Sequence, residues 1–166
     1  MKGDDFRTTR RTVWENGCMT EQMPVPDPIE VAMMRRLAAR YARVLAEFGF
    51  FTAEELASAN HSQAASGTAM VDNWRERGRV FAVPHPDKSA HPRDVYSAFQ
   101  FEKCQPREVV RDVLKVFARK DRWKLALWFT SNNGWLPDDA RPVDLLKSDP
   151  KAVVEAARRD AVGSPA

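Results

Sequence analysis

Cysteine is scarce in this sequence, and its scarcity bounds the class of protein. The two cysteines, Cys18 and Cys104, are far apart in the 166 residues and lack the spacing of metal ligands. Disulfide-dense secreted domains and zinc modules carry more cysteines at shorter, regular intervals. Free thiols in a reducing compartment are therefore the default expectation.

Long apolar runs are missing as well. No stretch approaches the roughly 20 apolar residues that a membrane-spanning helix needs. The first residues, MKGDDFRTTRR, lack the apolar segment of a secretory signal. We therefore expect a cytoplasmic protein that makes no contact with membranes.

Patterns that carry catalysis are also absent from the sequence. It has no glycine-rich phosphate loop and no nucleophile elbow of the G-x-S-x-G type. His85 and His91 share a stretch with Asp87, but its prolines offer no well-held surroundings for a metal. The sequence predicts a binding protein rather than an enzyme, without a cofactor or a metal site.

The composition supports a folded core. With 43% hydrophobic and 30% charged residues, the chain has enough apolar material for one compact domain or two small domains sharing a core. A net charge of +3 permits a nucleic-acid partner but does not require one. We predict a flexible arm over residues 1–27, helical regions over 28–101 and 102–160, and a flexible tail over 161–166.

Periodic apolar residues predict a mainly α fold, a helical bundle with a small β-hairpin. A long helix over 28–48 carries an apolar stripe at steps of three and four: Met34, Leu37, Tyr41, Leu45 and Phe48. Core packing is the first interpretation of this stripe, and the seam of a homodimer is the second.

Shorter elements follow. The capping box of Thr52 and Glu55 opens a helix over 53–59, and a helix over 68–77 ends at Gly78. β-Branched and aromatic residues predict two hairpin strands over 79–83 and 95–101. Further helices are predicted over 106–120, 121–130, 141–146 and 149–157, with a loop over 135–141.

The two short helices before residue 78 resemble a helix-turn-helix unit. Arg75, Arg77 and Arg79 stand at every second position at the end of the second helix. Arginine side chains in this place can reach DNA phosphates, or guanine edges in a major groove. A solvated basic edge is the alternative interpretation.

Three segments in order resemble the Xre/MbcA/ParS-like antitoxin superfamily of bacteria. They are NWRERGRVFAV (73–83), YSAFQFE (96–102) and WKLALWFTSNNGWLPDDARPVDLL (123–146). In that family an Xre-like helix-turn-helix and a small hairpin precede a C-terminal toxin-binding domain. The resemblance extends over about residues 51–158.

The resemblance implies a RES-domain toxin that degrades NAD as the partner, blocked by the C-terminal domain, and operator DNA as a second ligand. It places partner binding on Trp128, Asn132, Trp135, Leu136, Arg141, Pro142 and Leu145. It places DNA binding on Thr68, Asn73, Arg75, Arg77 and Arg79. The alternative is a stand-alone helix-turn-helix regulator whose C-terminal module binds another partner or only dimerises.

Overall fold

The computed structural model describes residues 27–61 and 67–163. Except for Asp27, the predicted arm over residues 1–27 lies outside them, as do residues 164–166 of the predicted tail. The elements of the described part are α1 (Pro28–Phe48), β1 (Phe50–Phe51), α2 (Ala53–Ala59), α3 (Ala69–Glu76), β2 (Val83–Pro84), β3 (Asp94–Ser97), β4 (Phe101–Glu102), β5 (Gln105–Pro106), α4 (Glu108–Val116), α5 (Arg122–Thr130), α6 (Pro142–Leu145) and α7 (Pro150–Val162). The predicted mainly helical class with a small antiparallel hairpin is confirmed.

The described residues divide into two units within α1, after Met34. In the first unit the apolar side chains of Ile29, Met33 and Met34 are exposed. The second unit begins at Arg35 and contains the hydrophobic core and every candidate site residue that the structure describes.

Within the second unit, the C-terminal half of α1 supplies the predicted core stripe. Leu45 is buried, Phe48 packs against the core, and the ring of Tyr41 stacks on that of Trp123 with centroids 4.0 Å apart. Met34 and Leu37 remain 60% and 45% exposed, so the prediction of core packing is wrong for these two residues of the stripe. The helix ends at Gly49, whose φ of +74° lies in the left-handed region that favours glycine.

The two short helices form as the sequence predicts. The Thr52 hydroxyl accepts from the N–H of Glu55 at 3.1 Å, and the Glu55 carboxylate accepts from the N–H of Thr52 at 2.7 Å, which confirms the capping box of α2. α3 ends before Gly78, whose φ is +62°. The two helices are in contact and share a small core that includes Leu56 and Trp74.

β3 is the central strand of a small antiparallel sheet in the order β1-β3-β2. Val83 pairs with Val95, which confirms the predicted hairpin. The strands are shorter than predicted, because residues 79–82 lie outside the ladder and residues 98–100 form a 3₁₀ turn. β1 and β5 lie outside the predicted strands, and β4 begins at Phe101, the last residue of the second predicted strand.

Alternating side chains separate two hydrophobic clusters. The larger cluster takes Phe81, Val83, Val95 and Phe99, together with residues of α1, α4, α5 and α7. The smaller one takes the intervening residues Val80, Ala82, Tyr96 and Phe101, together with residues of α2 and α3. Extended backbone projects successive side chains to opposite sides, so residues 80–83 and 95–96 serve both clusters in turn. Phe99 and Phe101 enter different clusters because the 3₁₀ turn over 98–100 breaks this alternation.

The C-terminal helices differ from prediction at their ends. α4 ends at Val116 rather than at residue 120, and α7 continues to Val162 rather than ending at 157. Residues 161 and 162 of the predicted tail are therefore helical. The division between residues 28–101 and 102–160 stays a prediction, and the larger cluster extends across it.

Candidate functional site

One carboxylate collects three side-chain donors at the C-terminal end of the described chain. Asp160 on α7 accepts from the indole N–H of Trp128 at 2.6 Å, from the amide of Asn133 at 2.7 Å and from the indole N–H of Trp135 at 2.9 Å. The guanidinium of Arg159 lies over the Trp135 ring, 5.4 Å from its centroid. Hydrogen bonds to a charged acceptor are stronger than neutral ones, so Asp160 fixes the orientation of both indoles.

The loop between α5 and α6 is held by Asn133. Its backbone N–H donates to the carbonyl of Ala140 at 3.1 Å, and its side-chain oxygen accepts from the N–H of Trp135 at 2.9 Å. Its amide then reaches Asp160. Sequence reasoning missed the roles of Asn133 and Asp160, because their pairing spans 27 positions.

These contacts form one wall of an open depression of about 440 Å³, here called the tryptophan depression. Its lining residues are Lys120, Lys124, Leu127, Trp128, Ser131, Asn132, Asn133, Gly134, Trp135 and Asp160. Trp135 is 54% exposed, which is unusual for so large an apolar side chain.

The depression brings together three of the seven predicted partner-binding residues: Trp128, Asn132 and Trp135. Leu136 and Pro142 are buried in the protein itself and do not line the depression, so their part in partner binding stays a prediction. Leu145 is half-buried against the larger cluster. Burial of these apolar side chains within the chain satisfies the same hydrophobic driving force that a partner would.

Arg141 is engaged inside the chain. Its guanidinium donates two hydrogen bonds to Asp144, at 2.8 and 3.0 Å, and one to Glu47 at the end of α1, at 2.6 Å. These bonds, first those to Asp144, raise the pKa of Arg141. The guanidinium also lies 5.3 Å from the centroid of the Phe48 ring. Arg141 thus ties α6 to α1 and does not line the depression.

Two predicted DNA-binding residues lie near the start of α3. Thr68 immediately precedes the helix, and Asn73 follows its first turn. The Thr68 hydroxyl donates to the Asp72 carboxylate at 3.2 Å and makes no capping hydrogen bond to the helix backbone. Asn73 is exposed. The structure therefore leaves Asn73 accessible, while the Thr68 hydroxyl already has a partner.

The three predicted arginines differ in their surroundings. Arg75 pairs with Asp94 at 3.5 Å and with Asp72 at 3.7 Å, while Arg79 pairs with Glu108 at 3.8 Å. Arg75 and Arg77 line a second open cavity of about 490 Å³, which Arg79 does not line.

Cations from α4, from α5 and from the segment between them also line this second cavity. Besides Arg75 and Arg77 the lining includes Lys115, Lys120 and Arg122, together with the acidic Glu76. Lys115 pairs with Asp112, and Arg122 pairs with Asp94, both at 3.2 Å. Three of the five cations therefore have acidic partners, and Arg75 and Arg122 share Asp94.

Neither a metal-ligating cluster nor a helix that could span a membrane is found among the described residues. In residues 27–61 and 67–163, no three His, Cys, Asp or Glu side chains are grouped so as to hold a metal ion. None of the helices described there is both long enough and apolar enough to cross a membrane.

Comparison with protein-family models, with curated proteins and with solved structures found no match for this chain.

Proposed function

We propose that this chain is an antitoxin-like binding protein. Its C-terminal domain neutralises a partner toxin of the RES-domain type, and the protein also binds DNA to regulate its own transcription. It acts by occupying a surface and not by catalysis. The resemblance of residues 51–158 to the antitoxin superfamily supplies the class of partner.

The exposed, fixed indole of Trp135 is the observation that carries the proposal. A tryptophan that is 54% exposed leaves apolar area that a partner can remove from water. Its N–H bond to Asp160 orients the ring before a partner arrives. Such preorganisation reduces the entropy lost on binding, which is about 0.5–1.5 kcal/mol for a flexible side chain.

The test uses Trp135→Ala against Val162→Ala, a change at an exposed apolar residue of α7 that does not line the depression. Tagged wild-type protein is used for a pull-down from the native host, with mass spectrometry, and captured toxin is then co-expressed with each variant. We expect wild type and Val162→Ala to restore growth and NAD levels, and Trp135→Ala to lose toxin binding at least tenfold, since buried tryptophans are frequent hot spots.

Two outcomes would contradict this proposal. If wild-type protein captures no toxin, the partner is not of the proposed kind. If Trp135→Ala mainly lowers thermal stability and leaves toxin affinity unchanged, Trp135 acts as a packing residue.

Arg75 and Arg77 support the DNA-binding part of the proposal. Both are exposed, and the two ion pairs of Arg75 are at the surface, where such pairs contribute about 0–1 kcal/mol. Exchange of these carboxylates for DNA phosphates therefore costs little. Phosphate contacts by two cations steepen the salt dependence of affinity by roughly one unit per contact.

The matched test compares Arg75→Ala with Arg77→Ala against Lys151→Ala with Arg158→Ala, which removes the same charge from exposed positions of α7. In a gel-shift titration with promoter DNA we expect only the first pair to weaken binding. Equal DNA affinity of both double variants would refute the assignment. DNA binding without any captured toxin would instead favour a stand-alone transcriptional regulator.

A further inference from the structure

We propose that the tryptophan depression binds an acidic segment of the partner protein, in which a carboxylate pairs with Lys120 and Lys124 while an adjacent apolar side chain covers Trp135 and Leu127. This inference rests on the proposed function only in taking the depression as the partner surface. The chemistry of the occupant follows from charges and contacts within the depression.

The two lysines give the lining an excess of positive charge over the single carboxylate of Asp160. Lys120 precedes α5, Lys124 lies in its first turn, and both line the depression. Over the described part of the chain, neither ammonium group forms an ion pair. The Lys120 ammonium instead lies 3.8 Å from the centroid of the Phe117 ring.

Asp160, the carboxylate of the lining, is already engaged. Its two oxygens accept the hydrogen bonds of Trp128, Asn133 and Trp135. The lining therefore has two ammonium groups against one carboxylate whose oxygens are committed to neutral donors. This arrangement favours an anionic occupant over a cationic one.

The electrostatics of Lys120 agree with this assignment. Burial lowers the pKa of the ammonium group, Asp160 opposes that effect, and Lys124 adds to it by repulsion. A partner carboxylate close to both lysines would offset the desolvation and relieve the repulsion.

The ring of Trp135 forms much of the apolar half of the site. Because the Trp135 N–H is bonded to Asp160, the ring presents its carbon surface rather than a donor. Leu127 contributes a half-buried apolar side chain to the same lining, while Ser131 and the exposed Asn132 add polar groups. The expected ligand therefore has an apolar side chain beside its carboxylate.

The test is a titration of the full chain, followed by NMR of the tryptophan indole N–H groups. Two capped peptides serve as probes: Glu-Leu-Phe-Asp and its uncharged analogue Gln-Leu-Phe-Asn. We expect the acidic peptide to shift the Trp128 and Trp135 signals and to bind about five- to tenfold more tightly than the analogue, as surface ion pairs allow. Added salt should reduce the difference.

Variants separate charge from packing. Lys120→Gln with Lys124→Gln should abolish the preference for the acidic peptide, while Lys115→Gln with Lys151→Gln, at exposed lysines outside the depression, should retain it. Thermal unfolding of each variant identifies any loss of folding. If the double variant at residues 120 and 124 is unfolded, Lys124→Gln alone must still reduce the preference.

Several results would overturn the inference. These are equal binding of both peptides, no indole shift at millimolar peptide, a stronger shift with duplex DNA, or a shift caused by raising protein concentration alone. The inference and the proposed function fail separately. A toxin whose binding needs Trp135 but neither lysine would refute the inference alone, whereas charge-dependent peptide binding without any captured toxin would refute the proposed function alone.

Discussion

Gln100 closes a ring of two hydrogen bonds with the backbone of Phe81. Its side-chain oxygen accepts from the Phe81 N–H at 2.8 Å, and its amide donates to the Phe81 carbonyl at 2.9 Å. Gln100 is fully buried. The side chain thus supplies the hydrogen bonds that a neighbouring strand would give to this extended backbone, which lies between the two hydrophobic clusters.

We expect Gln100→Leu to destabilise the protein strongly. The substitution leaves a buried N–H and a buried carbonyl without partners, at about 1–3 kcal/mol each. Urea unfolding should therefore show a loss of roughly 2–6 kcal/mol. Gln105→Leu, at an exposed glutamine, is the control and should cost much less. Similar losses for both variants would show that the two hydrogen bonds between Gln100 and the Phe81 backbone contribute little to stability.

Asp160→Ala should loosen the tryptophan depression. It removes the shared acceptor of two indoles and one amide, and a hydrogen bond to a charged group contributes about 1.5–3 kcal/mol. Because the site is partly exposed, we expect a total loss near 2 kcal/mol in urea unfolding, with greater mobility of Trp135 in fluorescence anisotropy. Glu155→Ala, also on α7, removes only surface ion pairs. If Glu155→Ala lowered stability and raised the mobility of Trp135 equally, the hydrogen bonds to Asp160 would not be what holds the two indoles.

Substitution of Arg141 tests whether this residue stabilises the fold or contacts a partner. We expect Arg141→Ala to cost about 1–2 kcal/mol, because it removes hydrogen bonds to charged groups from a half-exposed site. A double-mutant cycle with Glu47→Ala should give a coupling of about 0.5–1 kcal/mol. Unchanged stability together with reduced toxin affinity would instead make Arg141 a partner-binding residue, as the family resemblance implies.

Alkaline pH should destabilise the fold through Tyr96. Burial raises the pKa of its phenol; Arg75 opposes this effect, and Asp72 and Asp94 reinforce it. With a raised folded-state pKa, the contribution to stability is complete below the unfolded value of about 10 and is lost as pH rises through the folded one. Between these two pKa values the free energy of unfolding should fall by about 1.4 kcal/mol per pH unit.

The check is urea unfolding at a series of alkaline pH values. Tyr96→Phe should flatten the decline more than Tyr41→Phe, because Tyr41 is less buried, although burial and Asp121 also raise its pKa. An identical decline in wild type and Tyr96→Phe would assign the alkaline loss to other groups.

Short-range signals in the sequence account for where several helices begin and end. The capping box at Thr52, the glycine ends at Gly49 and Gly78, and the prolines opening α6 and α7 all lie within a few residues of the backbone groups they affect. The β-branched and aromatic residues over 79–83 likewise predicted extended backbone, although within that stretch Phe81 bonds to the Gln100 side chain and Val83 joins a strand ladder.

Which side chains are buried, and which of them meet, depends on contacts between distant parts of the chain. Trp135 and Leu136 are adjacent in the loop between α5 and α6, yet Leu136 is buried while Trp135 stays half exposed with its indole N–H bonded to Asp160. Arg141 similarly turns to Glu47, 94 positions away. Periodicity reports which face of an element is apolar, but not which distant residue arrives there, because long-range pairing depends on how the whole chain closes around its core. The tryptophan depression, with its paired indoles and two unpaired lysines, is therefore a product of the fold.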